Sequence, residues 1–341
     1  MSKGRKILRI GRWVLLGLVL FAVLNEAAIR VAVHFKNETS FRDFVDTLPA
    51  VKPWQKVTFG ALVQPSEHRK LIYQLRANMK VTHREVKVTT NSHGWRDQEY
   101  KEAPPPNTVR IVGIGDSNMY GWGVEQGKDF LTVLEGKLNN KYGDKKRWEV
   151  INTGVPGYNT YMKVESLNSR SIAFKPDIVI IQHTINDLLL PEFVYEYPDV
   201  LSPRRSFFLD FVLGRYKLAD NKLKVVFEAD FKEVPQRFKY MEGEEGFARA
   251  MVMLRDLREE HGFEVVLHIS HDHPVGIAHG LLKLCKEFSF HCFVKLHRTD
   301  DPKLIVSKED LHPSALGHKL LAETFFHYLE EEHLIQRALE R

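Results

Sequence analysis

Five short apolar runs, each separated from the next by a stretch of helical character, constrain this chain more than any other feature. They lie at 109–114, 148–152, 177–182, 264–269 and 291–296. Short, near-continuous apolar runs of this kind read as strands buried on both faces. The stretches at 129–142, 161–173, 245–261 and 275–288 read as helices. A last helix, over 314–332, is expected to bury Leu316, Leu320, Leu321, Phe325 and Leu329 on one face. Strand–helix alternation predicts a parallel sheet covered on both sides. In such sheets ligands bind beyond the carboxyl ends of the strands.

The N-terminus follows a different rule. Lys3, Arg5, Lys6, Arg9 and Arg12 precede an uninterrupted apolar run from Trp13 to Leu24. A basic flank before an apolar run is the pattern of a signal peptide or a signal anchor. The run is short of the ~20 residues a full span needs, and apolar character resumes weakly at Ala27, Ala28 and Ile29. No small-x-small cleavage site follows, so we read an uncleaved, single-pass membrane anchor in preference to a cleaved secretion signal. A buried core helix is the plain alternative. The basic flank would stay in the cytoplasm, with the bulk of the chain outside.

The expected organisation is therefore residues 1–33 as basic flank and anchor, 34–106 as a juxtamembrane region and linker, and 107–341 as the main domain. Within 34–106, residues 84–91 alternate as a surface strand, Asn91–Ser92–His93–Gly94 turns, and Pro104–Pro105–Pro106 makes a stiff break. Residues 188–243 interrupt the strand–helix rhythm and contain Arg204–Arg205–Ser206–Phe207–Phe208 and Phe211–Val212–Leu213. An insertion at the functional edge of a sheet reads as a lid or as a peripheral embellishment. Its basic and aromatic content also suits a membrane surface.

The formal net charge of +5 sits partly in the first dozen residues, so nucleic acid is not an expected partner. Cys285 and Cys292 are the only cysteines. They stand as either a disulfide or two buried thiols, and they form no metal-ligand pattern.

Four segments at predicted strand ends carry chemistry. Gly115–Asp116–Ser117–Asn118–Met119–Tyr120–Gly121–Trp122–Gly123 follows the first run. A serine in a tight turn at a strand tip offers a hydroxyl nucleophile and a free backbone N–H for a developing oxyanion. Asn152–Thr153–Gly154–Val155–Pro156–Gly157–Tyr158 follows the second run, and its loop amides suit an anion. Thr184–Ile185–Asn186–Asp187 follows the third and offers a side-chain amide. Glu309–Asp310–Leu311–His312–Pro313 places a carboxylate near a histidine just before the last helix. Each is commonplace alone; their order and placement give them weight.

Together these blocks resemble the SGNH hydrolases, the GDSL esterase/lipase family, over about residues 107–332. The resemblance implies a flavodoxin-like three-layer α/β/α sandwich with a five-stranded parallel sheet. It implies Ser117 as nucleophile and His312 as base. The oxyanion hole would be the Ser117 N–H, the Gly157 N–H and the Asn186 side chain. No metal or organic cofactor is implied. The third triad member is Asp310 or Glu309, with Asp310 preferred for its short side chain. Thr184 stands where the family usually has glycine, which is expected to crowd the hole. Asn91–Ser92–His93–Gly94–Trp95–Arg96 is similar to a stretch of exported or membrane-anchored bacterial members.

The implied function is hydrolysis of carboxylic esters, on a small molecule, lipid or glycan, through an acyl-enzyme. Two alternatives stay open: an O-acyltransferase acting on an extracytoplasmic polysaccharide, and a catalytically silent carbohydrate-binding or assembly protein. His268, His271 and His273 are expected to rim the site without binding metal. His318 is expected to face outward or cap the last helix.

Overall fold

The computed structural model describes residues 3–341 except 197, 199, 201, 204, 219–222, 228–233, 271–274 and 296. The chain forms two compact units. One comprises Met1–Leu48 with Tyr195–Val226, and the other Pro49–Val194 with Phe227–Arg341.

The smaller unit is built on helix α1, Lys3–Asp46. This helix continues well past the expected end of the anchor at 33, because nothing from 34 to 46 breaks it: the stretch holds neither proline nor glycine. The middle of the 188–243 insertion belongs to this unit and contains a short helix.

The larger unit begins with a region expected to be a linker. Instead, 49–106 belongs to the same compact unit as the sheet. Tyr73, Trp95 and Arg96 are buried there, which ties the region down in a way that alternation alone could not reveal. Its hairpin pairs β1, Lys80–His83, with β2, Val86–Thr89. Arg84 and Glu85 make the turn, with φ of 49° and 62°. Positive φ at both central residues is the geometry of a two-residue hairpin, held here without the usual glycine.

The main sheet contains β3, Thr108–Ile114; β4, Arg147–Asn152; β5, Ile178–His183; β6, Glu264–Ile269; and β7, His291–Val294. All neighbouring pairs are parallel, in the order β7-β6-β5-β3-β4. Counted within the sheet this is 2-1-3-4-5, the flavodoxin-like order whose switch point lies between its first and third strands. Those strands are β3 and β5, which carry the serine and asparagine blocks. Ile111 pairs with Val150 on one side and Ile178 on the other, so apolar rows run across the sheet.

Helices α2, Phe130–Tyr142, and α3, Thr160–Ser169, follow β3 and β4. After the insertion come α4, Phe207–Val212 (in the smaller unit), α5, Gly243–His261, α6, Val275–Glu287, α7, Ala315–Glu331, and α8, Leu334–Glu340. One core joins Val109, Ile111, Ile180 and Val266 of the sheet to Phe130 and Leu134 of α2, Phe325 and Leu329 of α7 and Leu334 of α8. α3 and α5 pack together as a separate pair.

The last helix departs from expectation. Its buried face is His318, Ala322, Phe325, Phe326 and Leu329, whereas Leu316 and Leu320 are exposed. His318 is therefore not outward-facing. It lies four residues before Ala322 on the inward stripe, stacked 6.1 Å from the Phe130 ring. Burial pushes it down to about 3, so it stays neutral in the core. Cys285 and Cys292 form a disulfide linking α6 to β7.

Candidate active site

The residues expected to act together converge at the carboxyl edge of the sheet. β3 ends at Ile114, and at the next residue, Gly115, any Cβ would lie 2.4 Å from the Met119 side chain. Glycine is required for the chain to turn this tightly. Asp116 then caps one helical turn, Ser117–Tyr120, its Oδ1 accepting from the Asn118 amide at 2.9 Å. This sets Ser117 at the first position of the turn. Gly121, at φ 82°, ends it.

His312 reaches this serine from the loop before α7. Its Nε2 lies 2.8 Å from Ser117 Oγ, and its Nδ1 lies 2.6 Å from Asp310 Oδ1. An Nδ1–H donated to Asp310 leaves Nε2 free to accept from the serine. Glu309 turns away and accepts from the Ser307 hydroxyl at 3.0 Å, so Asp310 is the carboxylate at the ring. The loop is pinned by Val306 N donating to His312 O at 2.9 Å and Ser314 N donating to Leu304 O at 2.9 Å.

Trp122, which the sequence reading passed over, completes this arrangement. Its indole Nε1 donates to Asp310 Oδ2 at 3.1 Å, and its ring stacks 5.5 Å from His312. Burial raises the Asp310 carboxyl, but the His312 hydrogen bond and charge, with the Trp122 N–H, outweigh it and hold it below the usual carboxylate range. Asp310 thus remains an acceptor at neutral pH. Groups from the hairpin also pack on Trp122. The Arg84 guanidinium lies 4.9 Å from its ring and His83 lies 4.7 Å away, edge-on. Burial, with the charges of Arg84 and Arg96, pushes His83 down to about 4.

Arg96 explains the Asn91–Arg96 stretch. Its guanidinium donates to the carbonyls of Tyr120, Gly121 and Val124, closing the end of the serine turn. The stretch therefore supports the nucleophile from below.

A buried ionic network underlies the turn. Lys163 of α3 donates to Asp187 Oδ1 at 2.7 Å and to Gln182 O at 2.8 Å, and lies 3.6 Å from Asp116 Oδ2. The Thr184 amide donates to Asp187 and the Thr184 hydroxyl to Asp116. Burial raises Asp187, but Lys163 and His183 overcome this and hold it far below the ordinary range. Thr184 was expected to crowd an oxyanion hole. It lines the same cavity as Asn186, and its hydroxyl links the serine block to the asparagine block.

Ser117, Asn118, Thr184, Asn186, Asp310 and His312 line one cavity of about 810 Å³. Gly157, at φ 79°, sits in the loop before α3 and is not among the cavity-lining residues. A Cβ there would lie 2.4 Å from the Tyr73 hydroxyl. Leu304, Leu311, Leu320 and Leu321 also line the cavity, as do Arg84, Lys295, Arg298 and Thr299. His268 is buried within the lining rather than rimming it. Its Nε2 pairs with the Lys295 carbonyl at 3.0 Å, and burial pushes it down to about 4. His271 and His273 lie outside the described residues. Among the described residues, no group of His, Cys, Asp or Glu is arranged to hold a metal ion.

A doubly covered parallel sheet with a Ser–His–Asp hydrogen-bond chain at its carboxyl edge is the arrangement of a serine hydrolase. More specifically, the chain belongs to the GDSL-like lipase/acylhydrolase family, whose profile matches residues 114–320. It is an ester-hydrolysing enzyme. No curated protein matches the chain. Similar solved structures include the lipase/acylhydrolase from Enterococcus faecalis, at 17% identity and TM-score 0.38, covering 66% of this chain and 96% of that one. A Clostridium thermocellum family 3 carbohydrate esterase matches at 13% identity and TM-score 0.41, covering 67% and 98%. A two-domain esterase active on acetylated mannans matches at 14% and 0.36, covering 66% and 49%.

Proposed function

We propose that this chain is a membrane-anchored esterase that works through an acyl-enzyme on Ser117, with its catalytic domain outside the cytoplasm. The observation that carries the reading is the unbroken hydrogen-bond chain from Ser117 Oγ through His312 to Asp310, open to a cavity. His312 takes the serine proton as Oγ attacks the ester carbonyl. Asp310 stabilises the imidazolium that forms. The Ser117 N–H and the Asn186 amide, whose residues both line the cavity, take the oxyanion, and the Gly157 N–H is assigned beside them by the family resemblance alone. His312 then returns the proton to the leaving alcohol, and water enters by the same route in reverse.

The leucines that line the cavity suit an acyl chain, and its polar and cationic residues suit an alcohol portion. The apolar run of α1 suits an anchor, and its basic flank suits a cytoplasmic N-terminus. The Cys285–Cys292 disulfide favours an oxidising compartment. The expected layout stands as a proposal with changed limits: a helical anchor through Asp46, and a hydrolase unit that includes 49–106.

The test uses the full chain in detergent, with a p-nitrophenyl ester series and a fluorophosphonate label located by mass spectrometry. Wild type should turn over esters and carry the label on Ser117, and Ser117→Ala should lose both while keeping its unfolding midpoint. Label without hydrolysis would redirect the reading to an acyltransferase that needs an alcohol acceptor. A folded wild type with neither would overturn the proposed chemistry.

A further inference from the structure

The insertion solves a problem posed by α1. From Trp13 to Leu24 the helix is apolar and exposed, but twelve residues rise only about 18 Å, against a hydrocarbon core of about 30 Å. A full span must continue through Asn25 and Glu26 and reach Arg30. Glu26 stands about 20 Å along the axis from Trp13, and Arg30 about 26 Å. Polar groups at such depth require partners from the protein itself.

Those partners come from the insertion. Glu26 accepts from the Phe208 amide at 2.8 Å, the Phe207 amide at 3.2 Å and the Ser206 hydroxyl at 2.9 Å. Arg30 donates to Glu26 at 2.6 Å, to the carbonyls of Arg205 at 2.6 Å and Ser202 at 3.1 Å, and to that of Val200. The carboxylate thus meets the amides at the start of α4, while the guanidinium meets the carbonyls preceding it. The charges cancel, and their hydrogen-bonding needs are met inside the unit.

This pairing fixes α4 against α1 at the level of Glu26. The Phe208 ring packs edge-on against Phe21 at 6.1 Å, five residues deeper into the apolar run. Beyond it the insertion turns Leu209, Phe211, Val212 and Leu213 outward, each at least half exposed at 52%, 59%, 62% and 50%. They extend an apolar surface that α1 already presents. Arg215 and Lys217 follow and are exposed, as befits a segment returning to an anionic headgroup layer.

We infer that α4 and the turn after it are embedded in the membrane beside α1, with Leu209, Phe211, Val212 and Leu213 facing lipid acyl chains. The inference rests on the reading of α1 as a membrane anchor. It gives the insertion a role other than a lid: it supplies hydrogen-bond partners to the charged pair of the anchor and broadens its apolar footing.

Spin labelling of the full chain in phosphatidylcholine–phosphatidylglycerol vesicles tests this. Single cysteines replace Leu20, Phe211, Val212 or Asp144 and carry a nitroxide; the native cysteines are paired and do not react. Circular dichroism checks that each variant is folded, and two insertion positions guard against a local defect. Labels at 20, 211 and 212 should collide more with oxygen than with a water-soluble nickel chelate, with the ratio inverted at 144. A lipid signature at 20 with an aqueous one at 211 and 212 would overturn the inference and spare the anchor. Aqueous signatures at 20, 211 and 212 would overturn both. Shielding of 211 and 212 from both reagents would overturn it in favour of a covering protein surface.

Discussion

Replacing Lys163 with methionine probes the ionic network beneath the serine turn. The lysine is fully enclosed, so no water can take over its role. Methionine keeps most of the apolar stem but leaves Asp187 and Asp116 without their shared cation. Removing one partner of a buried pair costs about 3–5 kcal/mol, because the remaining charge is uncompensated. Asp187 keeps the Thr184 amide and Asp116 keeps the Asn118 amide, which argues for the lower end, about 3 kcal/mol. A domain stable by about 5–15 kcal/mol stays folded after such a loss. Urea unfolding should show a lower midpoint at an unchanged slope.

The pH dependence sharpens this test. In the wild type the Asp187 carboxyl is depressed. Its contribution is present above the unfolded value and is lost only as pH falls through the folded one, in strong acid. Without the lysine, His183 is left to oppose burial, the largest influence on this carboxyl; burial then prevails, and ionisation of Asp187 opposes folding at neutral pH. The deficit of Lys163→Met should therefore be greatest near about pH 8 and shrink toward about pH 5. Adding Asp187→Asn removes the orphaned charge and should recover part of the loss. A deficit under about 1 kcal/mol, or one equal at both pH values, would refute the reasoning.

Three further predictions concern the site and its support. Asn186→Ala should slow turnover on the order of a hundredfold or more in kcat with little change in unfolding midpoint; near-normal kcat would remove its oxyanion role. Trp122→Phe keeps a ring against His312 but deletes the N–H to Asp310, and should cost up to about tenfold in kcat/KM because the site is partly solvated; an unchanged value would make the indole bond irrelevant to catalysis. Replacing Cys285 and Cys292 with serine should lower stability by about 2–3 kcal/mol, as expected for a short closed loop, and denaturant titration of the oxidised wild type beside the variant reads this directly.

The five strands and most flanking helices were legible because burial on two faces leaves a local record in apolar runs of the right length. The Ser117 and His312 blocks were legible because their chemistry demands particular residues at strand ends. The last helix was misread at Leu320, since an apolar residue lining a ligand cavity looks like one facing a core, and at Leu316, an apolar residue that the structure leaves exposed. His318 was misread for the opposite reason: a polar residue on the inward stripe looks like a surface one. The stretch 161–173 was read only as a helix, and nothing in its spacing showed that residues 160–167, Lys163 and Glu165 included, are all buried.

By itself, the sequence determined the doubly covered parallel sheet, the order of the four blocks along it and the apolar, basic-flanked N-terminus. These are properties of short segments, written in residue type and spacing. Only the tertiary structure decided what lies between segments distant in the chain. Trp122 met Asp310, Arg96 closed the serine turn from a supposed linker, Lys163 joined Asp116 to Asp187, and Glu26 and Arg30 found partners 170 or more residues away. Such contacts follow from how packed elements satisfy buried charge, and that requirement acts across space and leaves no periodic mark in the chain.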